Sequence, residues 1–186
     1  FTQPLGAGAL RDYRWGEVVD QARRMAAYLQ AQGVVSGDRV AILSKNTVHW
    51  MLSDYAILLA GAVSVPLYPT LAPGTIQQIL EHSGARLLFV GKLDAWEHMK
   101  PGIPAGLPCI AHPLAPDDAK SSYPRWDDIV ASTPPLRGHP VRLADELCTI
   151  IYTSGTTGMP KGVMHTFGTL AFAVQTGLTR IPLRLR

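Results

Sequence analysis

The chain has 186 residues, 47% hydrophobic and 17% charged, with 17 Gly and 15 Pro. That length suits one domain, or one domain with part of another, and it supplies enough apolar side chains to bury a core without staples. The composition argues against global disorder. Cys109 and Cys148 alone make no disulfide scaffold. No apolar run approaches the ~18 residues of a membrane span; the longest candidate, 55–67, is broken by Gly61, Ser64 and Pro66.

The net charge is +3, from 17 Lys+Arg against 14 Asp+Glu. Arg180, Arg184 and Arg186 stand at the end, and without them bases and acids balance. A nucleic-acid-binding protein carries a basic stripe across its folded surface, so this terminal excess implies no nucleic-acid partner. The tail would suit phosphate or anionic lipid; the favoured reading is a connecting segment cut short. The sequence opens on Phe1 and shows no basic stretch followed by an apolar one, so no secretory signal is read. Both ends read as cuts within a longer protein.

In chain order, apolar residues Trp15, Val18, Val19, Ala22, Met25, Ala26 and Leu29 recur at spacings of three and four. This predicts an amphipathic helix over 14–32 with Gly33 as its C-terminal cap. The turn Ser36-Gly37-Asp38 leads to a strand over 39–43. Asn46 is placed as the cap of a second helix over 47–60, apolar nearly all round and so deeply buried. A second strand covers 63–67, with Pro66 near its end, where a lost donor is tolerable. A third helix covers 73–83, ended by Gly84, and a third strand covers 86–90. Strand–helix alternation of this kind predicts a parallel sheet covered on both faces.

From Pro101 to Pro140 prolines are frequent, and each fixes φ and removes a donor. This stretch is expected to hold one short strand over 107–111, a short helix near 126–131, and otherwise ordered loop. A buried strand follows over 147–153, and a last helix over about 168–178. The chain thus divides into strand–helix repeats over 14–93, a loop-rich segment over 94–140, a strand, loop and helix over 141–179, and a basic tail over 180–186.

The chemistry sits in TSGTTGMPKG, 153–162. Four hydroxyls (Thr153, Ser154, Thr156, Thr157), three glycines (Gly155, Gly158, Gly162) and Lys161 fall within ten residues. Glycines let the backbone approach a ligand, successive N–H groups form an anion-binding nest, hydroxyls add donors, and lysine adds a mobile charge. Together they suit a polyphosphate. The pattern is not a Walker A loop, which needs Gly directly before the Lys, nor the dinucleotide fingerprint G-x-G-x-x-G. The bland alternative is a flexible surface turn.

IIYTSGTTGMPKGVM resembles the phosphate-loop signature of the adenylate-forming (AMP-binding) enzymes: acyl-CoA synthetases, luciferases and peptide-synthetase adenylation domains. The segment from Tyr13 to Trp50 is similar to the family's opening helix, turn and strand. The segment from Gly61 to Val90 is similar to its next two units, in a form closest to long-chain fatty acid–CoA ligases. The resemblance is weakest across 94–140.

The resemblance implies an α/β fold with a mostly parallel sheet flanked by helices, forming a partial N-terminal domain over 1–186. It also implies an ATP-dependent acid–thiol ligase. A carboxylate, here expected to be that of a long-chain fatty acid, attacks the ATP α-phosphate to give an acyl-adenylate and pyrophosphate. Coenzyme A then displaces AMP, and Mg2+ bridges phosphates. By the same resemblance Thr153, Ser154, Gly155, Thr156, Thr157, Gly158 and Lys161 handle the β- and γ-phosphates. The adenine, ribose and acyl pockets and the catalytic lysine are expected downstream of this chain, so the chain alone is expected to be catalytically inactive. Rival readings are an adenylating enzyme for another acid and a truncated phosphate-binding module without chemistry.

Many family members carry His at the position of Phe167. Here His165 stands two residues earlier and reads as a strand-end or packing residue. The six histidines show no metal spacing, and Glu97-His98 reads as a helix-surface pair. Asp117-Asp118 and Asp127-Asp128 read as solvated loop charge, Cys148 as an inert buried thiol, and the four tryptophans as packing anchors. A cytoplasmic location is expected because ATP and coenzyme A are there; peripheral membrane contact for a fatty-acid substrate stays open, and nothing in the sequence encodes it.

Overall fold

In a computed structural model, residues 1–138, 140–154 and 160–180 are described. A six-stranded sheet has the order β6-β5-β3-β4-β7-β8. Its strands are β3 (Arg39–Leu43), β4 (Val63–Leu67), β5 (Ala85–Val90), β6 (Cys109–Ala111), β7 (Leu147–Ser154) and β8 (Pro160–Thr166). Every neighbouring pair is parallel except β7–β8, which is an antiparallel hairpin. The expected mostly parallel α/β sheet is the fold.

The first strands show why. In β3, Val40 and Ile42 join one apolar cluster while Ala41 and Leu43 join another. Successive strand residues point to opposite faces, so a strand apolar at every position must be covered twice. One cover is α1 (Trp15–Ala31), α2 (Val48–Leu59) and α6 (Trp126–Ser132), which supply Met25, Leu29, Leu52, Ile57 and Trp126. The other is α3 (Pro73–Ser83), α4 (Trp96–Met99) and α5 (Asp117–Ser122), which supply Ile76, Leu80, Trp96, Met99 and Ala119.

Local signals set the boundaries. Gly33 follows α1 at φ +83°, and Gly84 caps α3 at φ +61°, conformations glycine adopts without a Cβ penalty. The cap of α2 is Thr47, not Asn46: its hydroxyl accepts from the Trp50 amide at 3.1 Å, the third helical position, which an N-cap oxygen reaches. The first helical amide, that of Val48, is taken by the buried Gln3 side chain at 2.9 Å. Gln3 comes from a hairpin the periodicity does not show, β1 (Thr2–Gly6) with β2 (Ala9–Asp12), turning through Gly6-Ala7-Gly8 at positive φ throughout.

The proline-rich stretch is more helical than expected. Beside the anticipated β6 and α6 it carries α5, and just ahead of it stand α4 and a 3-10 turn over Lys100–Gly102. The two acidic pairs are not loop charge, since they occupy the first turns of α5 and α6, where carboxylates complement the helix dipole. Trp126 and Trp96 are buried, but Trp15 is 65% exposed and makes an edge contact with Phe1. α1 faces the sheet with Val18, Ala22 and Met25, which leaves Trp15 and Val19 on its rim.

Candidate phosphate-binding hairpin

β7 lies parallel to β4, registered through Ser64 with Thr149, and runs on to Ser154. β7 therefore brings Thr153 to the carboxyl end of a parallel strand, where open α/β sheets bind ligands. The register pairs Thr153 with Lys161 and Ser154 with Pro160. Residues directly opposed in an antiparallel pair project to the same face, with Cβ atoms about 4.5–5.5 Å apart. A hydroxyl and an ammonium thus stand side by side at the hairpin's base. Both are exposed, and among the described residues Lys161 enters no ion pair. Gly155, Thr156, Thr157 and Gly158, and the side chain of Ser154, lie outside the described residues.

Strand alternation turns Tyr152 the other way. It is buried in the cluster under α3, and burial pushes its phenol above the usual tyrosine range. Its hydroxyl is 2.7 Å from Nδ1 of His82 on α3, and the two rings meet edge-on at 5.8 Å. Across the ladder from Tyr152 is Gly162. A Cβ there would lie 2.8 Å from Ile150 Cγ2 and 3.2 Å from Tyr152 Cζ, so this glycine is required by packing at the hairpin's base. The sequence grouped it with the ligand-approach glycines; the signal for its packing role is the aromatic residue at the opposed position, visible only once the register is known.

β7 is less buried than expected: Cys148 and Tyr152 are buried, while Ile150 and Ile151 are half-buried. Cys148 donates from Sγ to the His165 carbonyl at 3.1 Å, and burial raises its thiol, in keeping with an inert role. Cys109 is pushed up to about 12 by burial, so it holds no ready thiolate. His165 is half-buried in β8 opposite Thr149. Phe167 opens α7 (Phe167–Arg180), with the Arg142 guanidinium 5.2 Å from its ring centre. The basic tail from Ile181 to Arg186 lies outside the described residues.

Two histidines the sequence shows as unrelated come together in the core. His49 and His112 are 3% and 1% exposed, 5.9 Å apart, both edge-on to Trp126. Nε2 of His112 bonds Ser53 Oγ at 2.8 Å, whereas both Nδ1 atoms lack a partner. Burial lowers His49 to about 4, with Arg11 adding to the effect. His112 is also held well below the usual histidine range, by burial and then by His49.

Among the described residues no group of His, Cys, Asp and Glu converges as a metal site. The hairpin base offers a hydroxyl and an ammonium but no carboxylate, a donor set that fits an anion. A Mg2+ ion there would be carried on phosphate oxygens and water rather than on these side chains. No helix among the described residues is long and apolar enough to cross a membrane.

The fold is that of an α/β domain whose mostly parallel sheet ends on an antiparallel hairpin with an exposed hydroxyl and ammonium at its base. The chain belongs to the AMP-binding enzyme family, whose model matches residues 3–184. It is 33% identical to a long-chain-fatty-acid–CoA ligase of Mycobacterium bovis, over 99% of this chain and 31% of that protein. It is 31% identical to a 3-hydroxybenzoate–CoA ligase of Aromatoleum, over 92% of this chain and 32% of that protein. The crystal structure of an anthranilate CoA ligase in complex with anthranoyl-AMP superimposes with a TM-score of 0.77 at 25% identity, covering 89% of this chain and 32% of that one. The chain spans about a third of the length of the curated relatives it matches.

Proposed function

We propose that this chain supplies the triphosphate-holding part of an ATP-dependent acid–thiol ligase that activates a carboxylic acid, of the long-chain fatty class, for transfer to coenzyme A. The observation that carries the reading is the hairpin base, where Thr153 stands opposite Lys161, which enters no ion pair among the described residues, beside the glycine- and hydroxyl-rich segment. The fatty acid rests on the Mycobacterium bovis relative, which aligns over 99% of this chain; aromatic-acid ligases among the relatives make an aryl acid the second reading. A cytosolic site of action belongs to the same proposal, because ATP and coenzyme A are consumed together.

In this mechanism the carboxylate oxygen attacks the α-phosphorus, and the bond to the bridging oxygen breaks to release pyrophosphate. Charge builds on the departing β- and γ-phosphates. Lys161, the Thr153 and Ser154 hydroxyls, and the segment of Gly155, Thr156, Thr157 and Gly158 hold and neutralise it. Mg2+, when bound to the phosphates, adds further charge neutralisation. The thiolate of coenzyme A then attacks the acyl carbon, and AMP leaves. This chain's residues act only in the first step, as an electrostatic cradle.

Titration calorimetry with inorganic tripolyphosphate tests the cradle on the chain itself. Binding is expected, and Lys161→Ala should weaken it about five- to thirtyfold, the loss of one charge-assisted contact. Equal affinity of the wild type and Lys161→Ala would remove Lys161 from the site. No thioester is expected from this chain supplied with ATP, fatty acid and coenzyme A; its appearance would show that the chain carries a complete site.

A further inference from the structure

We propose that Tyr152 and His82 are positioning residues that hold the phosphate-binding hairpin in its working register by tying it to the end of α3. The proposal rests on the phosphate reading of the hairpin and extends it to residues other than those assigned to the phosphates.

The tie can be followed bond by bond. Arg39, at the start of β3, donates from Nε to the Ser83 carbonyl at 2.6 Å and from an Nη to the Gly84 carbonyl at 3.1 Å. The last turn of α3 is therefore bolted to the central sheet. His82 sits in that turn and bonds Tyr152 at 2.7 Å. Tyr152 directly precedes Thr153, and its ring packs where a Cβ on Gly162 would intrude, one residue from Lys161. The chain of contacts thus runs from the sheet centre to both candidate phosphate-binding side chains without touching the ligand face.

The geometry answers a specific weakness. β7 is registered in parallel to β4 through Ser64 and Thr149, and β8 is the edge strand of the described sheet. The remaining freedom of such a hairpin is to twist about β7, which would carry Thr153 and Lys161 together away from their place at the end of the sheet. A buried phenol bonded to a helix and wedged against a glycine removes that freedom. The bond forms with either partner donating: the hydroxyl donates to Nδ1 when His82 is neutral with its proton on Nε2, and Nδ1–H donates when the ring is charged.

Three variants test this on the chain as it exists: Tyr152→Phe, His82→Ala and His82→Asn, the last of which keeps a hydrogen-bonding atom near the Nδ1 position. Two readouts are taken. The first is amide hydrogen exchange in the ligand-free protein at the ladder-bonded amides of 161–164, with Val40 and Ile42 of β3 as internal reference. The second is the dissociation constant for inorganic tripolyphosphate.

Tyr152→Phe and His82→Ala should raise exchange in 161–164 about tenfold while leaving the β3 amides unchanged, and should weaken tripolyphosphate about three- to tenfold, the range of one lost hydrogen bond. His82→Asn should restore most of both. Unchanged exchange in Tyr152→Phe and His82→Ala overturns the tie. Raised exchange with wild-type affinity overturns its role in binding. If the wild type fails to bind tripolyphosphate, the phosphate reading falls and takes the binding role with it, while the exchange result still decides whether the hairpin is held by this pair.

Discussion

The two ends of the sheet are built on opposite principles. Through β5, β3 and β4 both faces are covered, and the strands are near-continuous runs of buried side chains. Past β4 the cover thins. β8 leaves Val163 and Met164 at 44% and 65% exposed, and α7 leaves Phe172 and Val174 at 70% and 62%. Burial fixes the first half through many small contacts that no single group controls. The second half carries identifiable anchors beside its packing: the Ser64–Thr149 register, the β7–β8 hairpin and the Tyr152–His82 bond. In this chain the more fully covered strands lie at one end of the sheet, and the candidate site at the other.

The largest effect that tests this division is a core truncation. Phe89 is fully buried between His112 and Trp126, and Phe89→Ala should cost about 3–5 kcal/mol in urea unfolding. Val163→Ala on the exposed edge should cost under about 1 kcal/mol. Similar costs at the two positions would break the division.

Next in size is a pH effect confined to the covered half. His49 titrates at about 4 when folded against 6.5 when unfolded, so between these values the unfolded chain binds a proton the folded one does not. The folded state's advantage is full above 6.5 and is lost as pH falls toward 4, by about 3 kcal/mol at one pKa unit per 1.4 kcal/mol. His112, lowered in the same direction, deepens the loss. Urea midpoints measured from pH 7 to pH 4 check this, and His49→Gln should flatten the slope by about one proton. An unaltered slope would show that His49 is not the group responsible.

A smaller, local effect is expected at Gly162. Alanine there must displace Ile150 and the Tyr152 ring, an overpacking cost of about 1–3 kcal/mol. Because the clash is at the hairpin's base, it should appear as raised exchange in β7 and β8 with β3 and β5 protected as before. Raised exchange across the whole sheet would mean that the two halves unfold as one.

The same division governs what could be read before the structure. β3, β4 and α3 match their expected bounds residue for residue, because a doubly buried strand and a Gly-capped helix carry their own signals in composition and spacing. The β1–β2 hairpin was not legible: its pairing rests on a Gly-Ala-Gly turn between mostly exposed residues, with no apolar alternation to betray it. Thr47 displaced Asn46 as a cap because either residue can cap and only the backbone decides which hydroxyl or amide faces Trp50. At the candidate site, residue type and density mark the segment in the sequence, and the structure places Thr153 and Lys161 of it at the base of the β7–β8 hairpin. The partners of the motif are not marked in this way. Tyr152 and His82 are seventy residues apart, as His49 and His112 are far apart in the chain, and no spacing rule joins residues that meet only across a sheet.

The smallest expected effect on stability is the sharpest test of the contrast. Lys161 is exposed and enters no ion pair among the described residues, so its side chain contributes little that the unfolded chain lacks. Lys161→Ala should shift unfolding by no more than about 0.5 kcal/mol, although it weakens tripolyphosphate. Added salt should weaken tripolyphosphate binding in the wild type more than in the variant, since an exposed charge contact is screened and a lost one is not. A residue kept for packing would give the reverse: measurable destabilisation with affinity and salt dependence unchanged. That result would move Lys161 from the binding end of the molecule to the structural one.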